Sequence, residues 1–127
     1  IGVDSPSVKC TTFNANCTLI PMEIMKRVKN VDSYYKHSMG DFDLGFRISR
    51  GGNDIYVMPE YVGVCNDNPI EGSWQDRSLG IVKRIKLKES FKGLPFKDWF
   101  HYLNRNFGFA TACVRSITPY IKILVGK

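Results

Sequence analysis

With 127 residues, 43% of them hydrophobic and 24% charged, the chain has the composition of one globular domain (residues 1–127) rather than of a disordered or fibrous segment. No apolar run approaches the roughly 20 residues that a membrane-crossing helix needs. The net charge of +6 is unevenly placed: residues 1–79 hold 8 Lys or Arg against 10 Asp or Glu, net −2, whereas residues 80–127 hold 10 against 2, net +8.

The chain opens on Ile1 and not on Met, which is the start expected after removal of a secretory signal peptide or release from a polyprotein. Pro6 and the polar run Thr11 to Asn16 disfavour helix, so residues 1–20 are expected to form an extended arm with a short strand at Cys17 to Ile20. Cys10, Cys17, Cys65 and Cys113 are an even set suited to two disulfides in an oxidising compartment, with the pairing open. They include no CxxC and only two histidines accompany them, so neither a metal site nor a cofactor is expected. Asn16-Cys17-Thr18 fits the N-glycosylation sequon.

Pro21 introduces an expected helix over residues 22–36, with Ile24, Val28, Val31 and Tyr35 along one side and Lys26, Arg27, Lys29 and Asn30 along the other. From Phe42 to Ser49 apolar and polar residues alternate strictly, which predicts a half-buried strand. Arg50-Gly51-Gly52-Asn53 then suits a hairpin turn, Ile55 and Val57 the returning strand, and Tyr61 to Cys65 a further short strand after Pro59. Residues 66–79 show no periodicity and are expected to be a long loop carrying Trp74, either packed down as a lid or offered as an anchor to a partner.

Residues 80–107 gather the remaining signals. Ile81, Ile85 and Leu87 alternate with Val82, Arg84, Lys86 and Lys88, which predicts a strand with one cationic face. Pro95 suits the first position of a helix whose Phe96, Trp99, Phe100, Leu103 and Phe107 recur at helical spacing and whose C-cap is Gly108. Its other face carries Lys97, His101, Asn104 and Arg105. Phe109 to Arg115 and Tyr120 to Val125 read as two strands parted by Pro119. Together these segments predict an α+β fold, a mainly antiparallel sheet of six or seven short strands with two amphipathic helices.

Function is expected to lie in binding. The leading expectation is a secreted, non-enzymatic interaction domain whose basic C-terminal part (Arg84, Lys86, Lys88, Lys97, His101 and Arg105, with Trp74 as anchor) engages a host or target protein, a glycan or another polyanion. Two alternatives stand beside it. One is an intracellular, polyprotein-derived RNA-binding subunit with reduced cysteines, for which Tyr56, Trp74 and Tyr102 are the candidate stacking aromatics. The other is a metal-independent ribonuclease using His37, His101 and Glu89 as acid and base groups.

Overall fold

The computed structural model describes residues 7–60, 62–64, 66 and 68–126. It overturns the expected sheet of six or seven strands: among the described residues there are five helices and a single two-stranded antiparallel sheet. Contacts group the chain into two compact units, the first formed by Ile1–Ser33 with Gly40–Asp67, the second by Tyr34–Met39 with Asn68–Lys127.

In the first unit, β1 (Val8–Cys10) pairs with β2 (Ile55–Val57), placing Val8 opposite Val57 and Cys10 opposite Ile55. The strand expected at Cys17 to Ile20 is irregular chain, as are residues 62–64; Tyr61 and Cys65, which bounded another expected strand, lie outside the described residues. Helix α1 (Met22–Val28) is shorter than its periodicity suggested, because Lys29 and Asn30 both turn left-handed at φ 60° and end it. The segment whose alternation predicts a strand is instead helix α2 (Gly40–Arg50). Leu44 and Ile48 explain the reversal, since residues four apart share a face in a helix as well as in a strand, and both are buried. Asp41 and Asp43 in the first turn and Arg47 and Arg50 in the last complement the helix dipole.

Arg47 ties this unit together. Its Nε donates to Oδ2 of the fully buried Asp43 at 2.9 Å, one helical turn away. The same guanidinium donates to the carbonyls of Val28 and of Asn30, groups left without helical partners where α1 stops. Gly45 lets the arm approach α2, for a Cβ there would lie 2.5 Å from Thr12 Oγ1 and 2.8 Å from its Cα. Thr12 in turn donates to the Phe42 carbonyl at 2.6 Å.

The second unit is three helices, α3 (Ile81–Lys88), α4 (Phe96–Phe107) and α5 (Phe109–Leu124). Helix α4 falls where its periodicity predicts it, with Pro95 as N-cap rather than first helical residue. Gly108, at φ 88° and ψ 162°, makes the sharp corner between α4 and α5, a conformation that side chains other than hydrogen oppose. The two helices form the principal packed pair, around Leu103, Ala112 and Ile123, while Tyr35 is buried in the same unit.

Both strands expected beyond residue 108 are parts of α5, and the strand expected at residues 81–88 is α3. In α3 the alternation is misleading because Arg84 and Lys88, four apart, share the buried face of a helix. In α5 the β-branched residues Val114, Ile117, Thr118, Ile121 and Ile123 favour strand locally, and packing overrides that preference. Pro119 lies buried inside the helix. A proline removes the N–H that would bond the carbonyl four residues earlier, here that of Arg115. The indole Nε1–H of Trp99 on α4 donates to that carbonyl at 3.3 Å and replaces the missing partner.

Candidate functional site

The cations singled out in the sequence divide into two groups. Arg84 and Lys88 are withdrawn from the surface, at 3% and 0% exposure. Arg84 donates from Nε to the Trp74 carbonyl at 3.0 Å and from Nη1 to that of Ile123 at 3.4 Å, so it pins the 66–79 loop and the end of α5 to α3. Lys88 donates to Glu89 Oε1 at 2.5 Å and sits 4.0 Å from the Tyr120 ring centroid. Lys86 is exposed on α3, and Lys97 and Arg105 are exposed on α4.

Glu89, itself exposed, is the hub that joins the buried Lys88 to α4 and α5. Beyond Lys88, it accepts the Tyr120 hydroxyl at 2.5 Å and, through Oε2, the N–H of Phe96 at 3.0 Å, one of the amides that opens α4 without a helical partner. Burial pushes the Glu89 carboxyl up, but Lys88, Tyr120 and the Phe96 amide together outweigh it and hold the group below its ordinary value. Tyr120 moves the opposite way: burial first, then the bond to Glu89 and that group's negative charge, keep the phenol protonated.

The histidines are packed in aromatic contacts. His101 stacks on Tyr34 with ring centroids 3.9 Å apart and meets Tyr35 edge-on, while His37 lies against Phe91 at 5.0 Å. Tyr102, a candidate stacking aromatic, is buried; Tyr56 remains exposed on β2. Trp74 is half-buried and walls an open groove of about 590 Å³ with Ile70, Glu71, Gln75, Asp76, Arg77 and Lys122. Asp76 there is held below its ordinary value, chiefly by the Ser78 hydroxyl and then by the backbone N–H groups of Gly72 and Ser78. Cys10, Cys17 and Cys113 are free thiols, and Cys65 lies outside the described residues.

The feature that the sequence reading missed is the outer face of α5. Ala110, Val114, Ile117, Ile121 and Leu124 recur at intervals of three and four, and all five are exposed. Cys113 lies beside them, and Phe107 and Phe109 are exposed at the α4–α5 corner. The inner face holds Ala112, Ser116, Pro119 and Ile123, so α5 is apolar on both sides. Its only charged residues are Arg115 and Lys122. The signal for this face was present as spacing, and reading Pro119 as a break divided it.

Among the described residues, no group of three or more His, Cys, Asp or Glu could hold a metal ion, and no helix is long and apolar enough to cross a membrane. Comparisons of the chain with protein families, with curated proteins and with solved structures give no match.

Proposed function

We propose that the chain is a secreted, non-enzymatic interaction domain that engages a negatively charged partner through its second unit. The observation that supports it is charge. That unit holds 12 Lys or Arg against 4 Asp or Glu, net +8, and among the described residues nine of the cations are exposed. Two of its four carboxylates, Asp76 and Glu89, already serve internal donors. Such an excess attracts a polyanion over distances of about a Debye length and makes affinity depend on salt.

Retention on immobilised heparin, a polyanion of simple chemistry, tests this. Binding at low ionic strength that weakens steeply with added NaCl is expected, and the triple variant Lys97→Gln, Arg115→Gln, Lys122→Gln should elute at lower salt. Passage through the column at low salt would refute the reading. The free thiols Cys10, Cys17 and Cys113 favour a second reading, a polyprotein-derived RNA-binding subunit in a reducing compartment. It requires a single-stranded RNA to bind more tightly than heparin at equal salt.

A further inference from the structure

The charge of the second unit does not account for the outer face of α5. Val114, Ile117, Ile121 and Leu124 are between 52% and 69% exposed, a row of large apolar side chains along a helix of 16 residues. A helix apolar on both faces is ordinarily covered on both. Sulfated glycans offer sulfates and hydroxyls, and RNA adds bases that stack on aromatic rings rather than on aliphatic side chains, so both would leave this row in water.

We infer that the negatively charged partner is the surface of an anionic lipid bilayer, on which α5 lies with its outer face in the acyl boundary. The inference rests on the reading of the second unit as an anion-seeking surface. Three observations choose this occupant. The apolar row is continuous from Ala110 to Leu124, about 21 Å at the rise of a helix, which suits a segment lying in the interface plane. Arg115 and Lys122, with no carboxylate anywhere on α5, stand beside the row, where their stems can follow apolar surface while their charges reach lipid headgroups. Phe107 and Phe109 stand exposed at the corner that begins the row. A second copy of the chain would instead bring one unit of charge +8 against another. An anionic bilayer supplies negative charge and an apolar interior together.

Sedimentation of the full chain with phosphatidylcholine vesicles, and with vesicles that also contain phosphatidylserine, reads this directly, with heparin retention measured in parallel. Binding to the anionic vesicles at least about tenfold above the neutral ones is expected. The double variant Ile117→Ser, Ile121→Ser should lose about tenfold or more of that vesicle binding and keep its heparin retention, since it removes apolar surface and no charge. Val114→Asp supplies an independent variant should the double one fail to fold. Heparin binding without vesicle binding would overturn the bilayer and leave the anionic partner standing; loss of both would overturn both. Vesicle binding undiminished in the two variants would overturn the role of α5. A dimer in sedimentation velocity, dissolved by the same substitutions, would overturn the bilayer in favour of a second copy.

Discussion

The two units of this chain use cations in opposite ways. In the first, with 6 Lys or Arg against 8 Asp or Glu, the most connected cation closes the fold: Arg47 spans from α2 to the carbonyls that end α1. In the second, cohesion comes from long helices and apolar contacts, and among the described residues two cations are buried as internal ties and nine face outward. Short elements cannot bury much apolar surface, so polar cross-links carry more of their cohesion; long helices bury enough that most of their charge is left for other uses. Charge counts alone therefore say little about which cations are available to a partner.

The contrast is most easily broken at Asp43. Removing a fully buried carboxylate that serves Arg47 leaves an uncompensated cation, so Asp43→Ala should cost about 3–5 kcal/mol in urea unfolding. A cost under about 1 kcal/mol, the range of surface pairs, would mean that polar cross-links do not hold the first unit. In the second unit the matching experiment uses one residue type at two neighbouring positions. Ile123, 1% exposed, should cost about 2–5 kcal/mol on substitution by Ala. Ile121, on the outer face, should change stability by no more than about 0.5 kcal/mol. Equal costs at the two positions would place the outer face of α5 in a packed interior and remove it as a docking surface.

A smaller effect concerns pH. Because the folded Glu89 carboxyl lies below its ordinary value of 4.5, its stabilisation is complete above that pH and is lost as pH falls through the lower folded value. Tyr120 behaves in reverse, contributing fully below its ordinary value of 10.0 and losing its contribution as pH rises beyond it. Melting temperatures at about pH 3 and about pH 6 should therefore differ less in Glu89→Gln than in the parent. An unchanged difference would show that the Lys88, Tyr120 and Phe96 contacts do not govern the acid response.

What could be read in advance follows from how local each signal is. Helix α4 was legible because its large residues repeat at one period and Pro95 and Gly108 punctuate both ends. Helix α2 was not, since the spacing of Leu44 and Ile48 satisfies a strand and a helix equally; the choice is made by what covers those residues. Arg84 and Lys88 look like surface cations in any count, and only the backbone carbonyls and the carboxylate waiting for them in the fold explain their burial. The same holds for the outer face of α5, whose spacing was visible and whose continuity depended on Pro119 being helical.

The indole of Trp99 at the Arg115 carbonyl also bears on how the second unit assembles. An isolated helix gains one backbone bond for each residue it adds, and at Pro119 that progression halts with a carbonyl unmatched. The donor that completes it belongs to another helix, so packing of α4 favours the second half of α5. Secondary structure and helix pairing are thereby coupled in this hairpin. A chain that had formed α4 but not yet closed the corner at Gly108 would hold residues 119–124 as unsettled, strand-prone sequence.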